Sequence, residues 1–206
     1  MAIETVLRGR GRPRQFDTDE VLNNLVDLFW EKGYAAASMT DIVDATGLNK
    51  SSLYNSFGSK EEMFGLAIDH YLSMRTAVLH GVRDGTSGLE DVFAFIDAVY
   101  QESTGPMRSR GCLAVNSTTE LGNRDDAMVA ISARFRDEMR TSMRAALQRA
   151  AALGEIRGEA VGHYTETLVS FMLSLAVIVR GGADHSEVED QFAAIRSLVD
   201  SWRTAS

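Results

Sequence analysis

Lys50, Ser51, Ser52, Tyr54 and Asn55 stand close together in the chain, and each carries a side-chain hydrogen-bond donor. On the exposed side of a short helix, such a set suits the base edges in the major groove of DNA. Thr40, Lys50 and Lys60 offer hydroxyl and ammonium groups suited to phosphate oxygens, and Asn49 completes this candidate DNA-contacting set. A second kind of chemistry is suggested by Cys112, the sole cysteine, which is preceded by Arg108 and Arg110. Positive charge and a helix N-terminus favour the thiolate form that reacts with electrophiles and oxidants.

The first set needs two short helices to hold it. Thr40 can cap the first, and Ile42, Val43 and Ala45 give it an apolar side. Gly47 follows where a helix end prefers a left-handed residue, a conformation glycine adopts without steric cost. Asn49 can cap the second helix, whose buried face carries Leu53 and Phe57 four residues apart. A short donor-faced helix set at an angle by a glycine turn is a helix-turn-helix, whose second helix enters the major groove.

The run from Phe29 to Phe64 resembles the N-terminal DNA-binding domain of the TetR family of bacterial repressors. The likeness is carried by Phe29, Lys32-Gly33-Tyr34, Thr40, Ile42, Gly47, Leu53-Tyr54, Phe57 and Lys60. It implies a homodimer that binds a palindromic double-stranded DNA operator and releases it when a small molecule enters the C-terminal domain. Where many relatives carry glycine, this chain has the first residue of the Ser51-Ser52 pair, which alters the bases read.

A net charge of −8 looks unsuited to nucleic acid, but its distribution is uneven. All three lysines (Lys32, Lys50, Lys60) fall in the first sixty residues, and Arg8, Arg10, Arg12 and Arg14 crowd the start. Charge farther than about 10 Å away is screened, so acidity elsewhere does not prevent local binding. Glycine alternates with arginine in this opening segment, which resembles an AT-hook type of minor-groove arm. Arg10, Arg12 and Arg14 would enter the groove, or the arm would act only as a basic tail that raises the association rate.

The remaining pattern predicts an all-α chain: a flexible basic arm over 1–16, a DNA-binding domain over 17–60, and a larger effector-binding and dimerisation domain over 61–206. Helices are expected over 17–32, from Lys60 past Val78, over 89–103, over 112–121, over 125–153, over 160–180 and over 187–202. The helix opening at Lys60 is capped by Ser59 and has Phe64, Ala67, Ile68, Tyr71, Met74 and Val78 as its expected buried stripe. The segment 160–180 is apolar nearly all round and is expected to be buried on more than one side. It and the last helix would form the homodimer as a four-helix bundle, as the resemblance implies. By inspection, no stretch is expected to supply the roughly 20 apolar residues that span a bilayer, and no signal-peptide core opens the chain, so a cytoplasmic protein is expected.

The resemblance places an effector cavity among the helices between the two functions. Mid-helix residues that could line it are Tyr71, Met74, Phe93, Tyr100, Asn116, Phe135, Thr167 and Phe171, each of which also suits plain core packing. The segment Arg110-Gly111-Cys112-Leu113-Ala114-Val115-Asn116 is similar to one in a TetR subgroup that includes sensors of electrophiles and oxidants. Cys112 is therefore both a candidate sensor and a candidate packing residue.

Catalysis is not expected. His70, His80, His163 and His185 lack metal-ligand spacing, and there is no phosphate-cradling glycine loop, nucleophile elbow or CxxC motif. No cofactor and no metal are expected. An architectural binder of AT-rich DNA without an effector is the competing function.

Overall fold

The computed structural model describes residues 16–105, 110–122 and 126–204. The basic arm with Arg10, Arg12 and Arg14 lies outside the described residues, as does Arg108. The described residues form nine α-helices and a 3-10 turn, and their sole β-type pairing is an isolated bridge between Ile156 and Arg203.

The first three helices are α1 (Thr18–Lys32), α2 (Met39–Thr46) and α3 (Lys50–Phe57). Asp17 starts α1 by accepting from the backbone N–H of Asp19 at 3.0 Å and of Glu20 at 3.4 Å. The cap of α2 is Ser38, two residues before the expected Thr40. Ser38 Oγ accepts from Asp41 N at 3.2 Å, while the Asp41 carboxylate accepts from Ser38 N at 2.8 Å. An acidic residue three positions after Ser38 completes this reciprocal capping box, leaving Thr40 exposed within the first turn. Gly47 ends α2 in the left-handed region at φ 67°, as the turn requires. Leu53 and Phe57 of α3 are buried.

A 24-residue helix, α4 (Lys60–Arg83), connects this domain to the rest. Ser59 and Glu62 form its capping box. At its other end, the Arg149 guanidinium donates to the Val82 and Arg83 carbonyls and pairs with Asp91 at 2.9 Å. Phe64, Ala67, Ile68 and Tyr71 are buried as expected, but Met74 is 45% and Val78 41% exposed. The inward ridge continues instead through Leu79 and Val82. At about 100° per residue, that line passes beside positions 74 and 78.

The C-terminal part contains α5 (Leu89–Thr104), α6 (Leu113–Leu121), α7 (Asp126–Ala152), the 3-10 turn Gly158–Ala160, α8 (Val161–Arg180) and α9 (His185–Asp200). α4 packs on α1 and α7, α7 also packs on α8, and α5 lies against α7 and α9. Asp184 starts α9 two residues before the expected position by accepting from Glu187 N at 2.9 Å. Met143, Ala146 and Leu147 of α7, together with Leu168 of α8, are fully buried in the core.

By length and composition alone, the segment Gly158–Arg180 is long and apolar enough to cross a membrane, with mean hydropathy 1.3, where the sequence reading expected no such stretch. In the fold it is a core-forming helix that buries Val169, Met172, Leu175 and Val179 against its neighbours. Its other side stays open within the chain, where Val177 is 51% exposed.

Candidate functional site: a nucleic-acid interface and an interior cavity

α3 turns Lys50, Ser51, Tyr54 and Asn55 outward, whereas Ser52 is half-buried. Asn49 Oδ1 accepts from Ser52 N at 2.9 Å, so the cap that starts the helix stands at the edge of this donor face. Tyr54 is 50% exposed although it is large and aromatic. Lys60, the first residue of α4, places its Nζ 4.5 Å from the Tyr34 ring centroid. Lys32 is instead paired with Asp41 at 2.5 Å. That hydrogen bond first, and then the bonds from Ser38, hold the Asp41 carboxyl well below the usual carboxylate range.

The junction of the two domains is made at the end of α1. Trp30 Nε1 donates to the Arg110 carbonyl at 3.0 Å, and Asn116 Nδ2 donates to the same oxygen at 2.8 Å. The Arg110 guanidinium lies 5.8 Å from the Trp30 ring centroid and donates to Asp27 at 2.6 Å. Its charge is therefore directed to α1 rather than to Cys112, where the sequence reading placed it. Arg180, from the end of α8, donates to the carbonyls of Trp30 and Glu31 at 3.3 and 3.2 Å. Glu120 accepts from the backbone N–H of Tyr34 at 3.0 Å and of Ala35 at 2.7 Å.

Immediately behind this junction is a cavity of about 310 Å³ lined by residues of α1, α4, α5, α6, α7 and α8. Its wall is mainly apolar, with Leu79, Phe95, Val99, Met139, Met172 and Val179 among its members. Trp30, Tyr71, Arg75, Gln101, Glu102, Ser103 and Cys112 supply polar groups. Tyr71 Oη donates to Cys112 Sγ at 3.4 Å, and the Tyr71 ring meets Trp30 edge-on at 5.1 Å. Burial pushes the Tyr71 phenol well above the usual tyrosine range, so it remains a donor at neutral pH. Arg75 donates through Nη1 to both Glu102 carboxylate oxygens, so the cavity wall carries a paired guanidinium and carboxylate. A mostly apolar cavity with a few polar groups can hold a small molecule in one orientation.

Tyr71, Cys112 and Phe135 line this cavity; the other proposed lining residues do not. Met74 faces outward. Phe93 lies under the guanidinium groups of Arg196 and Arg203, and Tyr100 donates to Glu189 at 3.2 Å. Asn116 is engaged with Arg110, Thr167 donates to the His163 carbonyl at 2.9 Å, and Phe171 packs on Phe192. Trp30, Arg75 and Glu102 were missed. Arg75 was detectable as an isolated cation one helical turn after Tyr71. Trp30 was detectable as an indole beside the buried Phe29, since its N–H needs a partner once covered.

Residues 21–67 match the model for bacterial regulatory proteins of the tetR family, and residues 88–195 match a tetracyclin repressor-like C-terminal domain. The HTH-type transcriptional repressor ComR of Escherichia coli is 32% identical over 188 residues, covering 87% of each chain. The uncharacterized regulator YezE of Bacillus subtilis is 26% identical, covering 92% of this chain and all of its own. A cysteine mutant of the TetR family regulator CifR, solved with a 26-bp double-strand operator, superposes with a TM-score of 0.81 at 27% identity. That match covers 93% of this chain and 100% of the CifR chain. Reduced NemR of E. coli shares the fold, with a TM-score of 0.74 at 15% identity over 87% of this chain and 94% of its own.

Proposed function

The chain belongs to the tetR family of bacterial regulatory proteins, and from that premise we propose that it is a transcriptional repressor. It would bind a palindromic operator as a homodimer and release it when a small molecule fills the cavity or Cys112 is modified. The observation that carries this reading is the pairing of two features in one chain. One is a capped, donor-faced α3. The other is a cavity of about 310 Å³ lined by Trp30 of α1 in the same domain and by α4, which leads out of it.

The DNA contacts divide by chemistry. Ser51, Ser52, Tyr54 and Asn55 would reach base edges, with Thr40, Lys50 and Lys60 on phosphates and Asn49 setting the angle of α3. The likeness to CifR, whose mutant holds an operator, supports this placement. Arg10, Arg12 and Arg14 would add minor-groove or backbone contacts beside the main site.

The exposed Val177 of α8 and Leu198 of α9 support pairing through the last two helices, since a second copy could cover both apolar surfaces. Effector occupancy would tilt α4, changing the spacing of the two α3 helices. Effector and DNA then weaken each other by the same factor.

Footprinting on the DNA flanking the gene, with and without a cysteine-reactive electrophile, tests this function. A protected palindrome that disappears on treatment but persists in Cys112→Ser supports the thiol route. Protection that survives treatment leaves the repressor standing and directs release to reversible, non-covalent ligands. Broad protection of AT-rich DNA with no palindrome would leave the architectural binder as the function.

A further inference from the structure

Among the described residues before Lys60, Trp30 alone lines the cavity. It belongs to α1, so the DNA-binding domain supplies part of the cavity wall. The same indole is also the donor that fastens α1 to the turn before α6, through Nε1 to the Arg110 carbonyl at 3.0 Å. That carbonyl is fixed from the other side by Asn116 Nδ2 at 2.8 Å. The turn itself is pressed against α8: Gly111 sits at φ 62°, and a Cβ there would lie 2.6 Å from the Ala176 carbonyl oxygen. The anchor has little room to follow if Trp30 moves.

We infer that Trp30 is a ligand-contacting residue and the latch through which cavity occupancy is read by the DNA-binding domain. The occupant would be a mainly apolar molecule with a ring able to lie against the indole and an acceptor oxygen within reach of Arg75. Pressure on the indole breaks its bond to Arg110 and loosens α1. Because α1 packs on both α2 and α4, the helix-turn-helix shifts with it. An occupant that outgrows the void of about 310 Å³ crowds the indole, so it favours the unlatched state, which supplies the differential affinity that a switch requires. The inference rests on reading the cavity as the effector site, and it adds α1 to α4 as a route out of it.

The test places a fixed occupant in the cavity with N-phenylmaleimide. The Cys112 thiol adds across the maleimide double bond, a carbon–sulfur bond forms, and the thiol proton ends on the neighbouring carbon. Trp202→Phe leaves Trp30 as the only tryptophan emitter. Labelling should shift Trp30 emission to longer wavelength and weaken binding to the footprinted palindrome about tenfold. In a protein that also carries Trp30→Phe, which keeps a ring but cannot donate to Arg110, labelling should weaken binding less than about threefold.

Unchanged emission on labelling would overturn the latch. So would an emission change with full retention of the operator, or an equal loss of operator with and without the indole. The emission measurement needs neither DNA nor the Trp30 variant, so an unmoved Trp30 overturns the latch even if that variant folds poorly. It also separates the two readings: absence of any protected palindrome sinks the repressor, whereas an unmoved Trp30 sinks the latch.

Discussion

The Lys60 ammonium lies 4.5 Å from the centre of the Tyr34 ring, which joins the first residue of α4 to the loop after α1. The ring faces the ammonium on one side by a cation–π contact, so the cation is oriented and its N–H donors on the other side can meet a phosphate. Lys60→Ala should weaken binding to all DNA sequences by similar factors. The slope of log affinity against log salt should fall by about 0.9 for each phosphate left without its cation. A salt titration that gives an unaltered slope would remove Lys60 from the phosphate set.

Asn55 makes the opposite case. It stands exposed on α3 beside Tyr54, and its amide can pair with an adenine edge in two directions. Asn55→Ala should narrow the gap between the operator and single-base variants by about 1–3 kcal/mol at one position, leaving the salt slope unchanged. Equal losses on every sequence would assign Asn55 to the backbone instead.

Gly111→Ala should be more harmful than Gly47→Ala. Both glycines have positive φ, at 62° and 67°, but a Cβ at Gly47 meets nothing within 4 Å, whereas one at Gly111 meets the Ala176 carbonyl oxygen at 2.6 Å. Each substitution brings backbone strain of about 1–3 kcal/mol, and the Gly111 variant adds a clash with α8. The resulting drop in Tm, about 2–4 °C per kcal/mol, can be compared directly between the variants by thermal unfolding. Equal drops would show that α8 yields at no cost.

The helix-turn-helix was readable because its rules are local. Gly47 and Asn49 each settle a helix end within three or four residues, and Leu53 and Phe57 mark one face. The misplacement of the α2 cap from Ser38 to Thr40 is instructive, since both residues are good caps and Asp41 decides between them. The cavity was far less legible because six helices far apart in sequence line it. An aromatic residue at helical spacing looks the same whether it faces a void, as Phe135 does, or packs on another ring, as Phe171 does. The indole N–H of Trp30 signals the need for a partner, but that partner lies 80 residues away, and no periodicity within α1 identifies it.

Acid should loosen the start of α2. The Asp41 carboxyl is held below its ordinary value by Lys32 and Ser38, so the ionised form stabilises the fold. A depressed folded value gives stability that is complete above the unfolded pKa, near 3.9, and is lost as pH falls through the folded one. Asp41→Asn removes this contribution, so the Tm gap between parent and variant should be widest near pH 7. It should narrow below about pH 4. A gap that does not change with pH would show that the carboxylate charge is immaterial there.

The fastening of α4 at both ends, by Ser59 and Glu62 at one and by Arg149 at the other, gives it the mechanics of a rigid lever. Its 24 residues span about 36 Å. A rotation of about 5° around one tip therefore carries the other tip about 3 Å, close to the rise between successive base pairs. A shift of about 1.5 Å halfway along α4 is thus doubled to nearly a full step along the double helix.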